Sequence, residues 1–435
     1  MNRRKFIAMA TGGLAVTFSD PAAAFSKIGG RPNIFIYIAD DQYRSSVGCY
    51  GAKPSHTPNI DRLAREGVRF TNAFTPSSIC TPNRGALLSG MYPLRNGAHP
   101  NHSGFKNGVK SLPNYMKELG YRACLAGKDG IQRDSDLYKW EFKIEKTEEH
   151  VPGATEPKHD RHRKSDLVAI EKFMADKSDP RPFCFVHAAS LPHSPYLNKL
   201  PNGLVGYDAS NWYMDYEFGL MLDVLERHGL ADNTLVIYVN DNEAGQPRTK
   251  YTLYDTGLHV PMVARWPGHI RPGSVSNAYV SFLDIMPTLF EVTGKKPPAV
   301  MDGMSLVNVM EGRTDHLHDE LYFSYTGVIV SSDRLEIPYP IRAVRTARYK
   351  YIRNINYTIP HPKQQKNGDD GMRPYEELYD IVADPNEMNN LADNQKFASI
   401  KKELSDKIDV WMKHCGDKGI ESELQALKDF PPKKK

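Results

Sequence analysis

The chain has 435 residues, of which 25% are charged and 40% are hydrophobic, and its formal net charge at pH 7 is +4. This composition is typical of a globular protein and excludes a disordered chain. The nearly balanced charge gives no indication of a nucleic-acid partner. No apolar run approaches the roughly 20 residues that a transmembrane helix needs. The length predicts a large core and two domains.

The first 24 residues follow the order of an export signal. The twin-arginine pattern Asn2-Arg3-Arg4-Lys5-Phe6 precedes a weakly apolar stretch at 7–18 and the small-residue cleavage site Ala22-Ala23-Ala24. We therefore expect residues 1–24 to direct export and the mature protein to be periplasmic or secreted. The five cysteines are scattered and odd in number, which does not indicate a disulfide framework.

The predicted elements alternate between strands and helices over most of the chain. In order, they are a strand at 32–39, helices at 58–67 and 112–119, a strand at 121–126, a helix at 164–176, a strand at 183–188, a helix at 210–228 and a strand at 234–239. Short apolar runs of this kind are typical of strands that are buried on both faces. The alternation predicts an α/β fold over residues 30–312, with a mixed, largely parallel sheet sandwiched by helices.

The pattern changes after about residue 312. Residues 320–325 and 341–353 are predicted to form antiparallel strands, and residues 396–413 an amphipathic helix. The polar segment 355–374 between them is predicted to be a long surface loop. We assign residues 313–430 to a smaller C-terminal α+β subdomain.

Polar residues follow two of the predicted strands directly. Asp40 and Asp41 end the first strand, and Asp241 and Asn242 end the strand at 234–239. Open α/β sheets bind ligands beyond the carboxyl ends of their strands. Three carboxylates and an amide are hard oxygen ligands, which favour Ca²⁺ or Mg²⁺ over zinc. Each pair alone is also compatible with a helix cap or an Asx turn.

The run Cys80-Thr81-Pro82-Asn83-Arg84 is the most informative part of the sequence. Pro82 suits the first turn of a helix, where its missing N–H is not needed. Residue 80 would then lie at a helix N-terminus, which favours anions, and Arg84 would offer a fork of donors to an oxyanion. The alternative is a buried cysteine that only packs.

The pattern Cys-x-Pro-x-Arg, followed by Gly85-Ala86-Leu87-Leu88-Ser89-Gly90, resembles the signature of the type I sulfatases, members of the alkaline phosphatase-like superfamily. The resemblance implies that a formylglycine-generating enzyme converts Cys80 to formylglycine, the catalytic nucleophile. It also implies that Asp40, Asp41, Asp241 and Asn242 bind Ca²⁺, or less favourably Mg²⁺. Similar runs at 57–61, 284–289 and 377–387 extend the match over nearly the whole mature chain.

Three further positions match motifs of this family. Lys128 in Leu-Ala-Gly-Lys and Lys250 in Lys-Tyr-Thr-Leu-Tyr-Asp resemble the lysines that clamp sulfate oxygens. His193 in Pro-His-Ser-Pro resembles the histidine that protonates the leaving alcohol, a proton transfer near its ordinary pKa. By the same resemblance Arg84 assists the nucleophile and Asp241 is its base.

Two positions depart from the family pattern. Gly130 stands where the family has a histidine, and His259 stands where it often has an arginine. We expect another histidine to compensate for Gly130, with His99, His102 and His259 as candidates. These three and Arg342 are the predicted substrate-binding residues.

The sequence thus predicts an exported sulfatase that acts on a sulfated polysaccharide or its oligosaccharides. One alternative is an N-sulfoglucosamine-type sulfamidase or a phosphonate or phosphate monoester hydrolase on the same scaffold, because the site suits any tetrahedral oxyanion. A second alternative is a sulfoglycan-binding protein with weak catalysis, which Gly130 alone favours.

Overall fold

The computed structural model describes residues 31–131, 135–154, 160–245, 248–330, 335–364 and 370–431. Its strands are β1 (Asn33–Asp40), β2 (Val68–Phe74), β3 (Arg122–Gly127), β4 (Phe142–Ile144), β5 (Lys146–His150), β6 (Arg163–Ser165), β7 (Phe183–Pro192), β8 (Leu197–Lys199), β9 (Thr234–Asn240), β10 (Met262–Arg265), β11 (Ser274–Ser281), β12 (Glu320–Tyr325), β13 (Ile341–Thr346), β14 (Tyr349–Asn354) and β15 (Glu376–Asp380). The predicted export signal lies outside the described residues.

The α-helices alternate with the strands in the first two thirds of the chain. They are α1 (Pro58–Glu66), α2 (Cys80–Ser89), α3 (Pro93–Asn96), α4 (Leu112–Glu118), α5 (Leu167–Ala175), α6 (Gly206–Arg227), α7 (Asp255–Leu258), α8 (Ile285–Val292), α9 (Val307–Met310), α10 (Ala398–Cys415) and α11 (Ile420–Asp429). Within the described residues, no helix is both long and apolar enough to cross a membrane.

The central sheet has eight strands in the order β11-β2-β10-β9-β1-β7-β3-β4. Strands β9, β1, β7 and β3 run parallel, so that Ile36 lies between Val186 on one side and Ile237 on the other. Strand β10 is antiparallel to both β9 and β2. The predicted mixed, largely parallel sheet is confirmed. The short antiparallel strand was not predicted, because its four residues carry no distinguishing pattern.

Helices α1, α5 and α6 cover one face of this sheet. Ile60, Ile170 and Phe218 from the three helices belong to one buried cluster with Phe35 and Tyr37 of β1. Burial of apolar side chains on this scale is the main stabilising contribution in a domain of this size. The packing holds β1 rigidly in the middle of the sheet, and so fixes the position of the polar residues at its carboxyl end.

The C-terminal part forms a separate antiparallel sheet in the order β12-β13-β14-β15. The strand predicted at 341–353 is a hairpin of β13 and β14, in which Arg345 pairs with Lys350. Helix α10 packs on this sheet through Leu404 and Ile408. The described residues from Pro32 onwards belong to one compact unit. The boundary at residue 312 stays a prediction.

Candidate active site

Four side chains from distant parts of the sequence meet at the carboxyl edge of the sheet. One ligand atom from each of Asp40, Asp41, Cys80 and Asp241 lies within 4.8 Å of the others, and all four residues are buried. The parallel pairing of β1 and β9 sets Ala39 opposite Asn240, so the acidic residues that follow stand side by side. Cys80 reaches them because it is the first residue of α2.

Helix α2 is held against the sheet by its own polar side chains. Asn83 Nδ2 donates to the carbonyl oxygens of Ser77 at 2.8 Å and Asp241 at 2.6 Å. Thr81 Oγ1 donates to the carbonyl oxygen of Gly130 at 2.9 Å. Burial and the nearby Asp241 raise the pKa of the Cys80 thiol to about 12. An unmodified thiol at this position is therefore protonated at neutral pH and a poor nucleophile.

Arg84 is almost fully buried and contacts two of the acidic side chains. Its Nε donates to Asp241 Oδ2 at 2.9 Å, and its Nη2 lies 3.5 Å from Asp40 Oδ1. Burial raises the pKa of Asp241 to about 6, against the opposing effect of Arg84. Burial also acts to raise the pKa of Asp40, but the positive charges of Lys128 and Arg84 outweigh burial and hold that pKa well below its usual range.

Two lysines flank Cys80, of which Lys250 is buried and Lys128 is partly buried. Lys128 Nζ donates to Asp40 Oδ2 at 2.6 Å. Lys250 Nζ donates to Asp41 Oδ1 at 2.6 Å and lies 3.8 Å from Cys80 Sγ. Burial acts to lower the pKa of each lysine, but the adjacent carboxylate outweighs it and the pKa of each is raised. Both side chains are therefore cationic and face the space in front of residue 80.

His193 completes the cluster from the segment that follows β7. Its Nε2 lies 3.4 Å from Asp41 Oδ2. Its Nδ1 lies 2.6 Å from Nη1 of Arg161, which also donates to the carbonyl oxygen of Ser194 at 2.6 Å. Burial lowers the pKa of His193, and Asp40 and Asp41 offset part of that effect. Arg161 was not predicted from the sequence, because it belongs to no recognisable motif.

Two protein-family models match this chain. A family model described as sulfatase matches residues 32–295, which is more than half of the chain. This chain belongs to the sulfatase family. A second family model, described as the C-terminal part of N-sulphoglucosamine sulphohydrolase, matches residues 248–414. The predicted family and its sulfuric ester hydrolase activity are thereby confirmed.

One relative and two solved structures are similar to this chain over most of its length. An ulvan-active sulfatase of Formosa agariphila is 35% identical to this sulfatase over 428 residues, which cover 90% of this chain and 82% of the relative. A protein solved in complex with D-glucosamine-2-N,6-O-disulfate has a TM-score of 0.69 at 18% identity, over 90% of this chain and 99% of that one. A phosphonate monoester hydrolase of Agrobacterium radiobacter has a TM-score of 0.67 at 18% identity, over 88% and 96%. The two structural similarities show the fold.

The donor atoms of this sulfatase fit a divalent cation. Asp40, Asp41 and Asp241 supply carboxylate oxygens that converge on one point. Asn242 Nδ2 donates to Asp41 Oδ1 at 2.6 Å, whereas its Oδ1 is buried and accepts no hydrogen bond. A buried acceptor without a partner is costly unless an ion or water satisfies it. The set of oxygen ligands is that of Ca²⁺ or Mg²⁺.

The four predicted substrate-binding residues differ in burial: Arg342 and His99 are buried, whereas His102 and His259 are partly exposed. Arg342 is fully buried, and its Nε donates to Asp417 Oδ2 at 2.6 Å, so its charge is paired within the C-terminal subdomain. His99 is buried too, with its Nδ1 3.1 Å from Thr326 Oγ1, and burial lowers its pKa to about 3. The burial of Arg342 and His99 argues against direct contact of either with substrate, and their predicted substrate-binding roles stay predictions.

The other two histidines lie closer to solvent. The His102 backbone N–H donates to Thr81 Oγ1 at 3.0 Å, which places the residue beside the first turn of α2. His259 stacks on Phe74, and its Nε2 lies 2.6 Å from the carbonyl oxygen of Thr71. His259 lines a cavity of about 460 Å³ together with Arg345 and other residues. Substrate contacts by His102 and His259 stay predictions.

The departure at Gly130 has a structural reason. A Cβ atom at this position would lie 2.1 Å from Cδ of Arg84, far inside van der Waals contact. Arg84 cannot move away easily, because Asp241 and Asp40 hold its guanidinium. The site therefore requires glycine at 130 as long as Arg84 has this conformation.

Proposed function

We propose that this sulfatase hydrolyses sulfate esters of a sulfated polysaccharide or its oligosaccharides, with residue 80 as formylglycine and one Ca²⁺, or less favourably Mg²⁺. The observation that carries this proposal is the position of Cys80 at a helix N-terminus between Lys128 and Lys250. The helix N-terminus and the two lysine side chains place three positive groups around the reactive atom of residue 80. Positive groups of this kind bind a negatively charged sulfate group and stabilise the charge that develops on it. The similarity to an ulvan-active sulfatase supports a polysaccharide substrate.

Each side chain of the site has a separate role in the proposed reaction. When present, formylglycine supplies the hydroxyl of a hydrated aldehyde as nucleophile, and the divalent cation held by Asp40, Asp41, Asp241 and Asn242 supplies positive charge for the sulfate oxygens. Lys128 and Lys250 bind the remaining sulfate oxygens and stabilise the charge that develops on them. Arg84 orients Asp241, which accepts a proton from residue 80.

His193 gives a proton to the leaving oxygen of the sugar. The acid form of histidine is the imidazolium, in which both ring nitrogens carry a proton. Nδ1 of His193 lies 2.5 Å from the carbonyl oxygen of Ser194, which can accept its proton, and Arg161 Nη1 donates to the same oxygen. We propose that Ser194 and Arg161 orient the ring so that Nε2, which lies 3.4 Å from Asp41 Oδ2, gives its proton to the leaving oxygen.

The test is release of inorganic sulfate by protein produced together with a formylglycine-generating enzyme, its proposed modifying partner. We expect release from sulfated polysaccharides or their oligosaccharides, ulvan among them, and faster turnover of an aryl sulfate than of the matching aryl phosphate. Faster turnover of the phosphate would assign the chain to phosphate or phosphonate ester hydrolysis instead. Binding of sulfated glycans without turnover would identify a binding protein.

A second candidate function is cleavage of N-linked sulfate on glucosamine. The match of residues 248–414 to the C-terminal part of N-sulphoglucosamine sulphohydrolase favours it. Comparison of N-sulfated with O-sulfated glucosamine as substrates separates the two reactions.

The twin-arginine pattern supports export to the periplasm or beyond, which is where a polysaccharide substrate would be found.

A further inference from the structure

The loop that carries Lys250 has an unusual backbone conformation. Arg248 has φ 62° and Tyr251 has φ 73°, so two residues with side chains adopt the left-handed region within four positions. Residues other than glycine rarely occupy this region, because the Cβ atom crowds the backbone. Such a conformation persists only where the surrounding structure imposes it. The contacts around this loop therefore decide where Lys250 points.

Two side chains of the C-terminal part hold the peptide groups on both sides of Tyr251. Gln364 Nε2 donates to the carbonyl oxygen of Lys250 at 2.9 Å. His361 Nε2 lies 3.0 Å from the carbonyl oxygen of Tyr251. His361 Nδ1 accepts from the N–H of Lys363 at 3.1 Å, so its proton is on Nε2 and that nitrogen donates to Tyr251. Both donors are buried.

Further contacts fix the two ends of the loop. The carbonyl oxygen of Glu387 accepts from Arg248 Nη2 at 2.5 Å, and Glu387 Oε2 accepts from the N–H of Asp255 at 2.6 Å. On the opposite side, the N–H of Tyr251 donates to the carbonyl oxygen of Ser78 at 3.2 Å, two residues before Cys80. The loop is thus held between the C-terminal subdomain and the segment that leads into α2.

We propose that Gln364 and His361 are positioning residues, which hold the strained backbone at 250–251 so that Lys250 Nζ stays beside residue 80. Through them the C-terminal subdomain takes part in sulfate binding without touching the sulfate group. This inference rests on the proposed role of Lys250 as a sulfate ligand. It also gives a function to His361 and Gln364, which belong to the segment 355–374 that was predicted to be a long surface loop.

Two substitutions test the positioning role. Gln364→Met removes the donor to Lys250 and keeps the length of the side chain. His361→Phe keeps an aromatic ring against Tyr325, on which His361 stacks, but removes the donor to Tyr251. The matched control is Gln425→Met, the same chemical change at an exposed residue of α11 whose Nε2 donates to Asp429 Oδ1 in the same helix at 2.8 Å. Each protein is compared with the unsubstituted chain in hydrogen–deuterium exchange, affinity for inorganic sulfate and kcat/KM for a sulfate ester.

We expect both substitutions to speed amide exchange over residues 248–256, which comprise the described part of the loop and the start of α7, while Gln425→Met leaves it unchanged. Sulfate affinity and kcat/KM should fall by about 10- to 100-fold, since small displacements of a catalytic group have effects of this size. The melting temperature should follow that of the control within a few degrees.

The proposal is overturned if exchange of 248–256 is unchanged in both variants, or if exchange rises while sulfate affinity and kcat/KM stay at the unsubstituted level. Failure of the proposed function looks different. In that case the unsubstituted protein releases no sulfate from any ester, or Lys250→Ala retains full sulfate affinity, whatever the exchange of the loop.

Discussion

Arg84 and Asp241 lie 157 positions apart in the sequence, and their side chains form a buried ion pair with Nε 2.9 Å from Oδ2. This pair joins the helix that begins with Cys80 to the carboxylates at the ends of β1 and β9. The proposed nucleophile position and the proposed metal position therefore form one rigid unit. A change that displaces Arg84 is expected to disturb both at once.

Gly130 is the position where this coupling is most easily tested. We expect Gly130→Ala to lower kcat by about 10- to 100-fold, because the added Cβ overlaps with Cδ of Arg84 and must displace it. Gly130→His should be at least as damaging, although the family usually has histidine there. Gly245→Ala is the control, since a Cβ at Gly245 meets no atom of the described residues within 4 Å. Faster turnover in Gly130→His would show that the pocket can accommodate the ring.

Residue 80 is expected to carry formylglycine when the protein is made with the modifying enzyme. Peptide mass spectrometry should detect the aldehyde or its hydrate, and Cys80→Ala should abolish turnover while the protein remains folded. Cys184→Ala removes a sulfur atom from a buried strand and should cost only about 1 kcal/mol of stability, with turnover retained. Full activity of a protein that contains only the unmodified thiol would rule out formylglycine as the nucleophile.

One divalent cation is expected at the carboxyl ends of β1 and β9. Asp40→Asn keeps the shape of the side chain but removes a negative charge, so metal content should drop from about one ion per chain to near zero. Elemental analysis after dialysis measures this directly. Asp315→Asn, in a loop that caps β11, should retain the ion. Undiminished metal and activity in Asp40→Asn would place the ion elsewhere.

The role of His193 is distinguished by the leaving group of the substrate. His193→Ala should slow the release of a poor alcohol leaving group by about 10²- to 10⁴-fold more than that of a nitrophenolate, which needs no proton. Arg161→Met should show the same selectivity at smaller magnitude, because it removes a side chain that contacts both the ring of His193 and the carbonyl oxygen of Ser194 and so helps to orient the acid. Equal losses on both substrates would mean that His193 binds rather than protonates.

Glu423 gives the protein a pH-dependent stability away from the active site. Burial raises its pKa to about 8, while its Oε2 accepts from the N–H groups of Gly327 and Tyr339. Because the folded-state pKa lies above the unfolded value, the contribution to stability is complete below pH 4.5 and is lost as the pH rises through 8. Glu423→Gln keeps an acceptor and cannot ionise. We expect its free energy of unfolding, measured in urea, to exceed that of the unsubstituted protein by at least about 1 kcal/mol at pH 8 but not at pH 4.5. An equal difference at both pH values would contradict this explanation.

The sequence alone determined the four adjacent parallel strands of the central sheet and many of the chemically special residues. Buried parallel strands consist of continuous apolar runs, so β1, β7 and β9 were recognisable within a few residues. The motif around Cys80 and the acidic pairs at 40–41 and 241–242 were recognisable because short-range spacing encodes them. Local patterns of this kind depend on neighbours in the chain, which the sequence displays directly.

Only the tertiary structure decided which of these residues meet, and what each one contacts. The burial of Arg342 against Asp417, the contact of Arg161 with His193 and the support of Lys250 by Gln364 all join segments that are distant in sequence. None of them has a spacing that could be recognised beforehand. Isolated polar residues have the same local pattern whether they are exposed, paired in the core or placed in a site. Their role is set by the packing of the sheet and the C-terminal subdomain, which brings together side chains that no local rule connects.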